Sequence, residues 1–182
     1  LRLNPAKCSG RPDCQPVPWC RDAYYIETRP AFTFDPRLHG GVYYVQEASS
    51  MFLDYVLRRF VDTPVRYLDL CAAPGGKSTL ALSALPAGSL VVCNEAVRNR
   101  THILAENVVK WGYDNTIVTR NTAADFGKLH HYFDVILVDA PCSGEGMFRK
   151  DTQATTEWSP AQVDVCAERQ QEILSDVWDA LR

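Results

Sequence analysis

Hydrophobic residues in the second half of the chain follow two alternating spacings. Four short apolar runs, each of strand length, cover residues 65–70, 90–94, 115–119 and 133–138. Between them, over 77–85 and 97–111, apolar residues recur every three to four positions, which predicts helices. Strands that alternate with helices are typical of a parallel sheet with crossover connections. The pattern therefore predicts an α/β fold with helices on both faces of the sheet.

The first half of the chain has less regular patterning. Residues 4–41 are rich in Pro, Gly, Cys and aromatic residues, and they predict an irregular arm with short extended pieces such as 31–34. A helix follows, and its predicted buried stripe consists of Met51, Phe52, Tyr55, Val56 and Phe60. We therefore divide the chain into an N-terminal arm, residues 1–45, and a core, residues 46–182.

A long helix is predicted at the end of the chain. Ser159-Pro160-Ala161-Gln162 is a capping-box pattern with proline at the first helical position. The predicted apolar face consists of Val163, Cys166, Ile173, Leu174, Val177 and Leu181. No glycine or proline follows this helix, and only four strands precede it. We therefore expect the parallel sheet to be incomplete and the fold to continue beyond Arg182.

Composition excludes several classes of protein. No apolar stretch reaches the ~18 residues of a membrane span, and the first residues lack the pattern of a signal peptide. Seven cysteines, an odd number, favour free thiols in a reducing compartment, here the cytoplasm. The six-residue spacing of Cys8, Cys14 and Cys20 does not match zinc-ligand spacing, so we predict no metal. The net charge of −3 does not by itself indicate a nucleic-acid partner.

The segment after the first predicted core strand is a glycine-containing turn, which lets backbone amides approach a ligand closely. Gly76-Lys77-Ser78 matches the end of a phosphate-binding P-loop, but Cys71 stands where that motif requires glycine. No dinucleotide fingerprint G-x-G-x-x-G occurs. A third alternative is a methyltransferase turn, which holds an amino-acid carboxylate and a ribose. Glu95, at the end of the second strand, favours this alternative because an acidic residue there can bind ribose hydroxyls.

Two signatures then narrow the choice of family. Residues 69–77, Asp-Leu-Cys-Ala-Ala-Pro-Gly-Gly-Lys, resemble the cofactor motif of the Sun family (the Nol/Nop/Sun group) of RNA 5-methylcytosine methyltransferases. Residues 139–146 resemble that family's second signature, and 45–50 resemble its entry helix. The similarity runs from about residue 17 to the end, and 146–151 resemble the bacterial branch that acts on ribosomal RNA. The resemblance implies a Rossmann-like class I methyltransferase core, S-adenosylmethionine as cofactor and ribosomal RNA as partner of a monomeric enzyme.

The resemblance also implies roles for individual residues. It assigns cofactor contacts to Cys71, Ala72, Ala73, Pro74, Gly75, Gly76, Lys77, Glu95, Arg100, Thr122 and Asp139. The turn 71–77 would wrap the methionine and ribose, and Glu95 would bind the ribose hydroxyls. Thr122 stands where the family places an acidic residue against the adenine amino group. A hydroxyl accepts that hydrogen bond less strongly than a carboxylate, so we expect reduced cofactor affinity.

Methylation at cytosine carbon 5 requires a thiolate, because its addition to carbon 6 makes carbon 5 nucleophilic. Cys142, in a Pro-Cys pair, is the catalytic candidate, and Asp139 is placed to assist at the ring edge. DNA cytosine methyltransferases use a Pro-Cys cysteine as nucleophile. The Sun family instead uses a Thr-Cys cysteine on the next strand, with the Pro-Cys cysteine assisting product release. No Thr-Cys pair occurs here, so we expect the main nucleophile beyond residue 182 and this chain alone to be inactive.

Three residues are predicted to contact RNA. Arg149 and Lys150 follow the second signature beside Phe148, and positive charge next to an aromatic ring suits phosphate binding and base stacking. Gln46 belongs to the segment that resembles the entry helix. Two alternatives stay open, a non-catalytic remnant that binds cofactor or RNA, and a P-loop nucleotide hydrolase.

Overall fold

The computed structural model describes residues 1–10, 12–28, 31–148 and 153–182. In the arm, two short strands, β1 (Arg2–Leu3) and β2 (Tyr43–Tyr44), pair antiparallel, and the helix α1 (Pro36–His39) precedes β2. The predicted extended piece at 31–34 is wrong, because Phe32–Phe34 forms a 3-10 turn. This turn leads into Asp35, whose carboxylate accepts a hydrogen bond from a backbone amide and caps α1.

The core contains one parallel sheet, as the sequence pattern predicts. Its strands are β3 (Arg66–Asp69), β4 (Leu90–Asn94), β5 (Thr116–Thr119) and β6 (Val135–Leu137). They lie in the order β5-β4-β3-β6, and each neighbouring pair is parallel. Because β4 and β6 lie on opposite sides of β3, a crevice opens at the carboxyl end of β3. The predicted α/β fold is confirmed.

Helices cover both faces of this sheet. They are α2 (Phe52–Phe60), α3 (Gly76–Ala84), α4 (Arg98–Trp111), α5 (Ala123–Gly127), α6 (Gln153–Glu157) and α7 (Pro160–Val177). Successive β3 residues enter different apolar clusters, Tyr67 with α3 and α4, and Leu68 with α5 and α7, as the two-residue period of a strand requires. No helix of the described ranges is long and apolar enough to span a membrane.

The predicted buried stripe of α2 is confirmed only at Met51, which is buried just before the helix begins, and is wrong for the aromatic residues. Phe52 and Tyr55 are each 50% exposed and stack on each other, and Phe60 is 76% exposed. The buried face carries Asp54 and Leu57 instead. A carboxylate can be buried there because Arg58 pairs with Asp54 at 3.0 Å and a backbone amide of the arm also donates to it. Apolar spacing alone therefore selected the wrong side of this helix.

The long helix α7 begins as predicted, but its buried residues and its last residue differ from the prediction. The Gln162 amide donates to the Ser159 hydroxyl, as in a cap, whereas the Gln162 side chain donates to Cys166 Sγ and does not complete the box. Leu174 is 44% exposed although it belongs to the predicted apolar face, while Val177 is buried. The helix ends at Val177, and Leu181 lies outside it, in a parallel bridge to Phe133.

The arm packs against the carboxyl end of α4. The buried Asn4 side chain donates to the carbonyl oxygens of Gly41 and Trp111, at 2.9 and 2.8 Å. Lys7 Nζ donates to the Lys110 carbonyl. Carbonyls in the last turn of a helix lack intrahelical partners, so these contacts satisfy them. The division at residues 45 and 46 stays a prediction, since apolar residues of the arm share a cluster with the core.

Candidate active site

A cavity of about 550 Å³ lies at the carboxyl edge of the sheet. Residues that follow β3, β4, β5 and β6 line it, and one wall comes from α7. Five of the eleven residues predicted to bind cofactor meet here, although they are far apart in sequence: Cys71, Glu95, Arg100, Thr122 and Asp139. Parallel strands bring such residues together because their carboxyl ends share one edge.

The turn at residues 71–77, called the cofactor turn below, is held by hydrogen bonds within the turn and by side chains of α4. Gly75 has φ of 107°, a left-handed conformation that favours glycine, and its amide donates to the Ala72 carbonyl at 2.7 Å. From α4, Arg100 donates to the Ala73 carbonyl at 2.9 Å and Asn107 donates to the Pro74 carbonyl at 2.8 Å. The Ala73–Pro74 peptide bond is cis. Arg100 therefore contacts the cofactor turn itself in this structure.

Glu95 lines the cavity with a carboxylate that is almost fully buried. Its side chain is 5% exposed, and Oε1 accepts a hydrogen bond from the Val97 amide at 3.0 Å. Oε2 lies 3.4 Å from Arg100 Nη1 but has no hydrogen-bond partner within the described chain. A buried carboxylate oxygen without a hydrogen bond is costly, so this geometry suits a ligand that brings a hydroxyl donor.

Thr122 lies at the cavity, but its hydroxyl is already engaged. It donates to Asp125 Oδ2 at 2.8 Å and accepts from the Asp125 amide at 3.3 Å. The Asp125 carboxylate also accepts from the Thr122 amide, so the two residues form a capping box at the start of α5. This cap serves α5, and it leaves the hydroxyl with little capacity for the adenine amino group.

Asp139 joins the main cavity to a smaller one of about 340 Å³. Lys77 Nζ donates to the Asp139 carboxylate, which ties the cofactor turn to the end of β6. Cys71 also lines both cavities, and burial raises the pKa of its thiol to about 11. Cys71 is therefore a protonated thiol near neutral pH. Cys142 is exposed at the rim of the main cavity, where a substrate can reach it.

Two of the three predicted RNA-contact residues, Arg149 and Lys150, lie outside the described residues. Gln46 lines the smaller cavity, beside the cofactor turn. Its Oε1 accepts a hydrogen bond from Arg2 Nε at 3.3 Å. The predicted RNA contact of Gln46 stays a prediction, and its observed contact is within the chain.

Several site residues were not predicted from the sequence. Asn94 donates to the carbonyls of Leu70 and Asn121 and accepts from Thr119, so it links the ends of β3, β4 and β5. Its position at the end of an apolar strand, directly before Glu95, was the available signal. The α7 wall of the cavity consists of Arg169, Glu172, Ile173 and Asp176, which only the tertiary structure identifies. Among the described residues, no group of three or more His, Cys, Asp and Glu side chains could hold a metal ion.

Asp69 is a fully buried carboxyl beneath the cofactor turn. Burial raises its pKa to about 7, although a hydrogen bond from Ser78 at 2.7 Å opposes that shift. The folded protein therefore retains this proton at pH values where the unfolded chain, with a pKa near ~4, has lost it. The stability contribution of Asp69 accordingly falls as pH rises from about 4 to about 7 and changes little above that.

We expect Asp69→Asn, which keeps an acceptor for Ser78, to remove this pH dependence. Between pH 5 and pH 8 the wild-type free energy of unfolding should fall by about 2 kcal/mol relative to that of the variant. Urea denaturation at both pH values measures the difference, with the exposed Asp62→Asn as the control. Parallel pH profiles for wild type and Asp69→Asn would contradict the assignment.

The sheet order and the ligand cavity at its switch point define the class of protein, a Rossmann-like methyltransferase fold. Two solved structures share it. A methyltransferase homologue from Pyrococcus horikoshii superposes with a TM-score of 0.79 at 25% identity, covering 100% of this chain and 60% of that one. NSun6 from the same organism, solved with SFG, superposes with a TM-score of 0.71 at 24% identity over 85% of this chain and 39% of that one.

Sequence comparison identifies the family. The model for 16S rRNA methyltransferase RsmB/F matches residues 61–182, and that for the N-terminal domain of 16S rRNA methyltransferase RsmF matches residues 1–48. The chain belongs to the RsmB/F methyltransferase family. Ribosomal RNA small subunit methyltransferase F of Pectobacterium atrosepticum is 36% identical over 175 residues, and that of Salmonella heidelberg is 37% identical over 174. Each alignment covers 92% of this chain, which spans only 36% of those relatives.

Proposed function

We propose that this chain is the cofactor-binding part of an enzyme that methylates carbon 5 of cytosine in ribosomal RNA, with S-adenosylmethionine as methyl donor. The observation that carries the proposal is the buried carboxylate of Glu95 at the main cavity, whose Oε2 lies 3.4 Å from Arg100 and accepts no hydrogen bond within the described chain. An amino-acid nucleoside offers the ribose hydroxyls that this oxygen lacks. Membership of a family of ribosomal RNA methyltransferases supports the choice of cofactor and substrate.

The residues at the cavity fit such a cofactor. Backbone groups of the cofactor turn are available to its methionine portion, because Gly76, which lines the smaller cavity, brings no side chain between backbone and ligand. Glu95 would hold the ribose, and the side of the cavity at Thr122 would face the adenine. When bound, S-adenosylmethionine supplies an electrophilic methyl group. Asp139 lies where the two cavities meet, so it could contact both cofactor and target base.

The proposed reaction uses covalent catalysis. A cysteine thiolate adds to carbon 6 of the cytosine, which gives carbon 5 enamine character. After the methyl group has been accepted at carbon 5, the proton on carbon 5 is lost and the carbon–sulfur bond breaks, which returns the thiolate. In our proposal Asp139 interacts with the ring edge during addition, and Lys77 holds this carboxylate in position. The nucleophile belongs to a Thr-Cys segment beyond residue 182, and Cys142 assists release.

Calorimetric titration with S-adenosylmethionine tests the cofactor assignment directly, and ATP with magnesium serves as the control. We expect binding of S-adenosylmethionine alone. Binding of ATP alone would support the P-loop alternative and overturn the proposal. Because the Thr122 hydroxyl is engaged by Asp125, a non-catalytic remnant with weak affinity is the second candidate. It would be favoured by cofactor binding without turnover in a protein of the full length of the relatives.

The role of Cys142 gives a separate prediction. In a protein that includes the Thr-Cys segment, we expect Cys142→Ser to accumulate a covalent protein–RNA adduct, because addition still occurs while release is slowed. The measurement is the fraction of labelled RNA that stays attached to protein in denaturing gels. Cys166→Ser, a half-buried position on α7, is the matched control. Methylation by the 182-residue chain itself, abolished by Cys142→Ala, would instead make Cys142 the nucleophile.

A further inference from the structure

We propose that Arg2 is a positioning residue that couples the N-terminal arm to the cofactor turn, so that cofactor affinity depends on the arm. This inference rests on the proposed function, because it takes the cavity beside the turn to be the S-adenosylmethionine site. Arg2 does not line that cavity. It would act through Thr79 and Gln46, which contact it directly.

The Arg2 guanidinium is buried between the arm and the first turn of α3. The residue is 2% exposed, and its Nη2 donates to Thr79 Oγ1 at 2.6 Å and to the Gly76 carbonyl at 3.2 Å. Nη1 donates to the Thr79 carbonyl at 3.3 Å. The planar group also lies 4.6 Å from the centroid of the Trp111 ring. Carbonyls, a hydroxyl and an aromatic face therefore hold this cation.

All the hydrogen-bond acceptors that the described residues give Arg2 are neutral. A buried cation without a carboxylate partner is costly for folding, and burial lowers the pKa of Arg2 to about 10. The side chain is still charged at neutral pH. A simple packing role would be served by an apolar residue, whereas a planar group with several donors fixes the directions of several acceptors at once.

Those acceptors lead directly to the cofactor turn. Thr79 Oγ1, which accepts from Arg2, donates in turn to the Gly75 carbonyl at 2.8 Å. Arg2 also donates to the carbonyl of Gly76. Through these bonds it sets the orientation of the peptides at Gly75 and Gly76, of which Gly76 lines the smaller cavity. A shift of these peptides would move the backbone amides offered to the methionine portion of the cofactor.

Gln46 gives Arg2 a second route to the cofactor turn. Its Oε1 accepts a hydrogen bond from Arg2 Nε. Its Nε2 packs close to Gly76, since a Cβ added to that glycine would lie only 3.3 Å from it. Arg2 therefore holds Gln46 against the same turn that it orients through Thr79. Any rearrangement of the arm around β1 is transmitted to the turn by these two routes.

The experiment compares two disruptions with two matched controls. Arg2→Lys keeps the charge but loses the planar group, and Thr79→Val removes the relaying hydroxyl at nearly constant volume. Thr79→Ser keeps that hydroxyl, and Arg59→Lys repeats the first change at an exposed site. We expect Arg2→Lys and Thr79→Val to raise the Kd for S-adenosylmethionine by about tenfold. The Kd of each control should stay within about twofold of the wild-type value. The double variant Arg2→Lys/Thr79→Val should bind the cofactor only slightly more weakly than either single variant, because both changes break the same chain of hydrogen bonds.

Amide hydrogen exchange of residues 75–79 in the cofactor-free protein provides a second readout. We expect faster exchange there in Arg2→Lys and Thr79→Val, at a temperature where both are fully folded. Unchanged Kd and unchanged exchange in folded variants would overturn the role of Arg2. If the wild-type chain fails to bind S-adenosylmethionine, the proposed cofactor is wrong, and exchange at 75–79 alone decides whether Arg2 positions the turn.

Discussion

Replacing Glu95 with glutamine is expected to weaken S-adenosylmethionine binding by about ten- to a hundredfold. Hydrogen bonds to a charged acceptor contribute roughly 1.5–3 kcal/mol, which corresponds to that range. Glutamine keeps one carbonyl oxygen as acceptor for the Val97 amide. It places an amide nitrogen at the position of Oε2, which accepts no hydrogen bond within the described chain. The ribose hydroxyl then faces a donor instead of an acceptor. Calorimetric titration of the variant measures the change in Kd.

A matched control separates this effect from a general change of charge. Glu106 lies on the exposed side of α4, where its carboxylate is 69% exposed and pairs only loosely with Lys110 at 3.8 Å. Glu106→Gln should leave the Kd unchanged. If Glu95→Gln is folded and binds the cofactor as tightly as wild type, Glu95 does not hold the ribose. The Glu95 carboxylate would then no longer support the proposed function.

Gly41→Ala is expected to destabilise the protein by about 3 kcal/mol. Gly41 has φ of 65°, and a Cβ at this position would overlap the Lys110 carbonyl oxygen. Both the backbone conformation and the close approach of the arm to α4 therefore require glycine. The added methyl group would also strain the hydrogen bonds that Asn4 makes to Gly41 and Trp111. Urea denaturation measures the loss of free energy of unfolding.

The chain offers a glycine control for this substitution. A Cβ on Gly10 would meet no atom within 4 Å, so Gly10→Ala should change stability by less than about 0.5 kcal/mol. Equal stability of the Gly41 and Gly10 variants would mean that the arm can move away from α4 at little cost. In that case the coupling of the arm to the core would be much weaker than its contacts indicate.

The sheet was predictable from sequence because its strands carry a local signal. Leu90–Asn94 is apolar up to its last residue and buried after its first, so the sequence run and the observed strand coincide. Helix α4 likewise ends at Trp111, as predicted, and Gly112 follows it in the left-handed conformation of a C-cap. By contrast, α5 was not predicted, since five residues are too short for a helical period to appear. Its Thr122–Asp125 capping box was the available signal.

The predictions about burial failed where a charge pair intervenes. On α2, the Asp54–Arg58 pair allows a carboxylate to be buried against the arm, whereas the aromatic residues Phe52 and Tyr55 are half exposed. Hydrophobic spacing cannot detect this, because it treats every charged residue as exposed. The partner that makes burial possible includes a backbone amide of the arm, more than 30 residues away.

Part of the candidate site could be predicted because its residues lie in continuous motifs. The cofactor turn and Glu95 follow directly from the order of strand, turn and helix. The supports of the turn could not be predicted in the same way. Asn107 and Arg2 reach it from positions 33 and 74 residues away along the chain. Such contacts depend on how α4 and the arm pack, and no local pattern encodes them.

The docking of the arm on α4 also has a consequence for synthesis on the ribosome. The arm is made early, but the carbonyl of Trp111 that Asn4 binds is 107 residues further along the chain. At typical translation rates of ~5–20 residues per second, the arm waits on the order of ten seconds for its docking site. During that time Val17, Cys20 and Ala23, which end up in one apolar cluster with Leu104, Val108 and Trp111, lack the part of that cluster that α4 supplies. The nascent arm is therefore a natural target for chaperones that bind exposed apolar segments.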